Sequence, residues 1–122
     1  MVCYVSPTVN EIIEINDIMR ELGASEVIRK RVKEKCNKGD ANEGFTYSAL
    51  GSRFSLMLIS KTTSAAETMN TIVHEVRHLT DDIAKAENIP LTGEEVAYLS
   101  GDVSAAIFKH TKKLFCDCCR KQ

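Results

Sequence analysis

The sequence predicts an α+β domain: two N-terminal helices, a small sheet of two or three strands, then two C-terminal helices. Three observations carry that order. Apolar residues recur at helical spacing toward both ends of the chain. Two short β-type runs lie between them, on either side of Gly51-Ser52. At three points where a helical pattern opens, Ser or Thr stands three residues ahead of Glu. A length of 122 residues gives room for one hydrophobic core and not for two, so residues 1–122 read as a single domain.

The first helix opens at Thr8, with Glu11 as its reciprocal capping partner. Ile12, Ile15, Met19 and Leu22 form its apolar stripe, and Gly23 is its stop. Ser25 begins a second helix that runs to about Cys36, and Asn37, Gly39, Asp40 and Asn42 mark the loop after it. Phe45 to Leu50 and Arg53 to Ser60 are the two strands, joined by a hairpin-type turn. The second is apolar on both faces at its centre, as a strand covered on both sides must be. Val2 to Val5 is a candidate third strand.

Ser64 with Glu67 opens a third helix, which Asn88 and Pro90 end near Glu87. Thr92 with Glu95 reads as another capping box, with Leu91 and Val96 as its hydrophobic staple. The last helix then runs to about Leu114 on a stripe of Val96, Leu99, Val103, Ala106 and Ile107.

Composition excludes several classes of function. With 43% hydrophobic and 27% charged residues the chain is not of the disordered type. A net charge of -1 removes any whole-chain electrostatic case for nucleic acid or an acidic membrane. The basic stretch from Arg29 to Lys38 lacks interleaved aromatics and is broken by Glu34, so it reads as a solvated helix face, and no nucleic-acid partner is expected. No apolar run approaches the roughly 18 residues of a membrane span. Nothing at the N-terminus resembles a signal peptide, so the expected address is cytoplasmic. Five cysteines, an odd number, fit reduced thiols better than a disulfide framework. Cys116, Cys118 and Cys119 have no second CxxC or nearby histidine to complete a metal set, so residues 115–122 read as a flexible tail. His110, beside Lys109, is expected to be exposed.

The motif that carries chemistry is His74-Glu75-Val76-Arg77-His78. Residues four apart on a helix lie one turn above another, so both imidazoles can reach one metal ion. Glu75, one residue after the first histidine, can take a proton from a water that the metal polarises. From this composition, chance placement would give roughly 0.006 such spacings. A third ligand has three candidates, Asp82, Glu94 and Glu95. Asp82 continues the histidine spacing, but one straight helix cannot easily place three turns around one ion, so it suits better a role as hydrogen-bond acceptor for His78 or simply as helix-surface charge. Glu95 has the capping box as a competing task. Glu94 shares a face with Ala97, Tyr98, Gly101 and Ala105, small residues that would let this helix approach the His74 helix closely. That favours Glu94, giving a Zn2+ set of His74, His78 and Glu94 with Glu75 as catalytic base.

His74-Glu75-x-x-His78 followed by Glu94-Glu95-Val96-Ala97-Tyr98 resembles the gluzincins, zinc peptidases that use two histidines and a glutamate. The short length and the hairpin ahead of the motif look most like the minigluzincins, a minimal zincin-like domain. Residues 44–107, which carry the resemblance, also look like small proteins of prophages and mobile elements. The resemblance implies a zinc-dependent metallopeptidase acting on a peptide or protein, or, as the alternative, a non-catalytic metal-binding or structural protein of a phage or mobile element. It also implies that the strand Phe54 to Ser60 edges the cleft and pairs with an extended peptide, whereas the residues alone equally allow an interior strand. Tyr47, Tyr98 and Arg77 are candidate transition-state stabilisers by residue type.

Overall fold

The structure, a computed structural model, describes residues 2–5, 7–38, 44–49, 51, 54–60 and 63–115. In chain order these form β1 (Val2–Val5), α1 (Val9–Glu21), α2 (Glu26–Lys38), β2 (Gly44–Ala49), β3 (Phe54–Ile59), α3 (Ala65–Ala86) and α4 (Glu94–Thr111), followed by a 3-10 turn at Lys112–Leu114. This is the α+β order expected, with Val2–Val5 as the third strand. The cysteines of the tail, Cys116, Cys118 and Cys119, and Leu50, Ser52 and Arg53 of the hairpin lie outside the described residues.

β3 is the central strand of the sheet β1-β3-β2, parallel to β1 and antiparallel to β2. That corrects the cleft-edge role the resemblance gave to Phe54–Ser60. Leu56, Met57, Leu58 and Ile59 are each at most 5% exposed. Because successive strand side chains point to opposite faces, burying four in a row requires cover above and below. One face joins Cys3, Met57 and Ile59 to Ile72, Val76 and Leu79 of α3 and to Val103 and Ile107 of α4. The other joins Tyr4, Leu56 and Leu58 to Ile15 and Met19 of α1 and to Ala24 and Val32, with Phe45 and Tyr47 packed against them. The free edges belong to β1 and β2.

Local chemistry sets the helix ends. Thr8 Oγ1 accepts from Glu11 N at 3.2 Å and Glu11 Oε1 accepts from Thr8 N at 3.0 Å, which completes the capping box. α1 stops in a Schellman arrangement: Gly23, at φ +85°, donates to Arg20 O and Ala24 donates to Met19 O. α3 repeats the device with Asn88 at φ +57°, Asn88 donating to Lys85 O and Ile89 to Ala84 O. Ser25 and Ser64 cap α2 and α3 by accepting from Ile28 N and Glu67 N. Arg29 reaches from α2 to Ala24 O and Asn16 Oδ1, so one member of the basic stretch ties α2 to α1.

The third expected box does not form. Gly93, at φ +98°, is the N-cap of α4, with no side-chain cap bond. Its left-handed backbone brings the chain into the helix one residue later than Thr92 would. Glu95 is then the second helical residue and cannot fold back as the third position of a box must. Val73 is 58% exposed, because the buried stripe of α3 runs through Ile72, Val76 and Leu79. Among the described residues, no helix is long and apolar enough to cross a membrane.

Leu56→Ala and Met57→Ala open cavities on opposite faces of β3. Each should lower unfolding free energy by about 2–5 kcal/mol in urea titrations, while Ile13→Ala on the exposed side of α1 should change it by less than about 0.5 kcal/mol. Thr80 Oγ1 is buried without a hydrogen-bond partner among the described residues. Thr80→Val keeps the shape and removes the desolvated hydroxyl, so it should be neutral or stabilising by up to about 1 kcal/mol in the same titration.

Candidate metal centre

α3 carries the motif because its buried stripe and its histidine strip occupy adjoining sectors of one helix. Thr68, Thr71, Ile72, Glu75, Val76, Leu79, Thr80 and Ala84 are buried, while His74 and His78 are exposed one turn apart. Their Nε2 atoms stand 3.2 Å apart, and their rings meet edge to face with centroids 4.8 Å apart. Two nitrogens bound to one tetrahedral zinc at about 2.0–2.1 Å would be about 3.3 Å apart. The 3.2 Å separation is that of an N–H···N hydrogen bond between the two rings, and it is also close to the spacing one zinc ion would ask of two ligands.

Glu75 follows His74 by one residue, a rotation of about 100° around the helix, which turns it inward under β2. It is 4% exposed. Thr46 of β2 donates its hydroxyl to Glu75 Oε1 at 2.7 Å. The other carboxylate oxygen, Oε2, lies 4.0 Å from His74 Nε2. Gly44, two residues before Thr46 on the same face of β2, passes directly over this side chain. A Cβ at Gly44 would come within 2.7 Å of Glu75 Cγ and 2.9 Å of its Oε2.

The sequence nominates His74, Glu75 and His78, and it does not nominate Thr46 and Gly44, which lie against Glu75. The signal was present in the strand alternation. Phe45 and Tyr47 pack toward α1 and α2, so Gly44, Thr46 and Ser48 must face α3, and a glycine and two hydroxyls there answer a polar partner.

Other candidates are placed elsewhere. Glu94 and Glu95 occupy the exposed first turn of α4. The face expected to approach α3, Glu94 with Ala97, Tyr98, Gly101 and Ala105, turns to solvent instead; Tyr98 is 72% exposed. The reason is competition between stripes. Val103 and Ile107 bury more apolar surface than alanine and glycine can, so they take the packing side. Among the described residues, no three His, Cys, Asp or Glu side chains gather to hold a metal ion, so Glu94 is not brought beside the histidine pair.

Tyr47 lies on the opposite face of the sheet from Glu75. Arg77 is engaged by Asp81, Nε lying 2.9 and 3.0 Å from its two carboxylate oxygens. Asp82 is half-buried one turn beyond His78. His110 is half-buried rather than exposed and lines a cleft with Lys109 and Lys113 beside β1. Burial first, then the two lysines, lowers its pKa. An apolar cavity of about 380 Å³ opens farther along α3, lined by Ala49, Phe54, Leu79, Ile83, Val103 and Ala106. In comparisons with known protein families, curated proteins and solved structures, nothing matches this chain.

The described cysteines are poor nucleophiles. Burial pushes the Cys3 thiol up to about 11 against a smaller opposing pull from Lys113, and burial raises Cys36 as well. Since the thiolate is the reactive form, site-resolved iodoacetamide labelling at pH 7.5 should modify Cys3 far more slowly in the folded protein than in urea. Equal rates in the two states would show that Cys3 is not shielded.

Proposed function

We propose that this chain is a zinc-dependent hydrolase of peptide bonds in which His74 and His78 hold the ion and Glu75 is the general base. The observation that carries this reading is the convergence of two imidazole nitrogens 3.2 Å apart with a buried carboxylate whose nearer oxygen is 4.0 Å from one of them. Zinc, when bound, would act as a Lewis acid that polarises water and a substrate carbonyl. Glu75 Oε2 would take a proton from the water as its oxygen bonds to the substrate carbonyl carbon, and would hand that proton to the amine nitrogen as the C–N bond breaks. Oε1 stays committed to Thr46. The exposure of both histidines supports access for a substrate as large as a peptide, and the apolar cavity farther along α3 has the size and lining to take an apolar side chain.

The resemblance nominates Glu94 as third ligand. Glu94 faces solvent in the first turn of α4, and the proposal does not include it. The test is direct: Glu94→Ala should weaken zinc binding tenfold or more if Glu94 is a ligand, whereas its present placement calls for no change, and that is the outcome we expect.

Untagged protein loaded with zinc and dialysed should retain about one equivalent by elemental analysis, and His74→Ala or His78→Ala should abolish retention. Glu75→Gln should keep zinc affinity within about threefold and lose at least about 100-fold in cleavage rate on a peptide library. Retention below about half an equivalent in the wild type would overturn the zinc proposal. Full retention without cleavage of any peptide would leave a non-catalytic zinc protein as the better description.

A further inference from the structure

We infer that Thr46 and Gly44 form a positioning seat for Glu75, fixing which of its two oxygens moves the proton. This inference rests on the hydrolase reading for its kinetic consequence, but the seat itself is geometric. A glutamate side chain has three rotatable torsions, and a carboxylate free to turn would present either oxygen, or neither, to a reacting water. Two features of β2 remove that freedom. The Thr46 hydroxyl holds Oε1 at 2.7 Å, a short bond of the charge-assisted kind. The bare Cα of Gly44 lets the chain lie against Cγ and Oε2, where any side chain would collide at 2.7 to 2.9 Å. The carboxylate is thus pinned from one side by a donor and from another by backbone, and Oε2 is left on the side of His74.

The two residues are neighbours on one face of one strand, two positions apart, and β2 is held in place by its ladder with β3, by packing on α3 and by Phe45 and Tyr47 on the far face. Alternation puts both of them over Glu75 at once. The contacts that Thr46 and Gly44 make here are to Glu75, so their contribution falls on the orientation of the base and not on metal capture. Misplacing a reacting group by about 1 Å can cost about 100-fold in rate.

Thr46→Val removes the donor while keeping the branched shape, and Thr46→Ser restores it. In the zinc-loaded protein, Thr46→Val should lower kcat by about 10- to 100-fold with KM and zinc affinity nearly unchanged, and Thr46→Ser should recover most of the loss. Gly44→Ala should reproduce the kcat loss by pushing the side chain out of its seat. An independent readout uses zinc-free protein: side-chain NMR couplings and Overhauser contacts of Glu75 should report one rotamer in the wild type and in Thr46→Ser, and averaging in Thr46→Val. A single fixed Glu75 rotamer in Thr46→Val would overturn the seat, as would equal losses of kcat in Thr46→Ser and Thr46→Val. A wild type that cleaves no peptide while Thr46→Val still frees Glu75 would uphold the seat and defeat the hydrolase reading instead.

Discussion

One strand imposes the rest of this architecture. Four consecutive residues of β3 are dry, and a strand can achieve that only when each of its faces is roofed by other elements. The sheet therefore has to sit between two helical layers, α1 with α2 below and α3 with α4 above. Each layer then needs an apolar stripe that points inward, which is why Ile15 and Met19, or Leu79 and Ile107, are among the most deeply buried helical residues. The outer edges of the sheet are left to the short β1 and to β2, the more polar of the two.

The candidate site grows from that arrangement at the place where α3 lies over β2. Along a helix, one step of about 100° separates what faces the sheet from what faces water. His74 and Glu75 are on either side of that boundary, so the same turn of helix offers an imidazole to solvent and sends a carboxylate under the edge strand. Core packing of Ile72, Val76 and Leu79 then serves as the mounting for both groups. The neighbouring helix α4 contributes Val103 and Ile107 to that mounting and keeps its small residues outside.

Much of the fold was legible in the sequence because its signals are local. Thr8 and Glu11, Gly23, Ser64 and Pro90 act on backbone within a few residues, and their geometry follows from residue type. The histidine pair was equally legible, since its spacing converts directly into position on a helix. Relations between elements were harder. Nothing within Thr92-Gly93-Glu94-Glu95 reveals that Gly93 takes the cap, because a glycine at positive φ and a threonine cap compete at nearly equal cost. Which face of α4 meets α3 depends on comparing the packing value of two stripes, and the Ala97-Gly101-Ala105 stripe loses only when Val103 and Ile107 are set beside the whole core. Thr46 lay hidden for a related reason: a threonine in a strand is ordinary until its neighbour across the layer is known to be a buried glutamate.

The antiparallel ladder between β2 and β3 pairs Thr46 with Met57 and Phe45 with Leu58. A slip of this hairpin by a single residue would turn every side chain of β2 to the opposite face. Phe45 or Tyr47 would then project toward Glu75 where a hydroxyl now reaches it, and the space kept open by glycine would close. The chemical identity of the site is in this sense a matter of alignment between two strands, protected by the same aromatic residues that anchor β2 to the far side of the sheet.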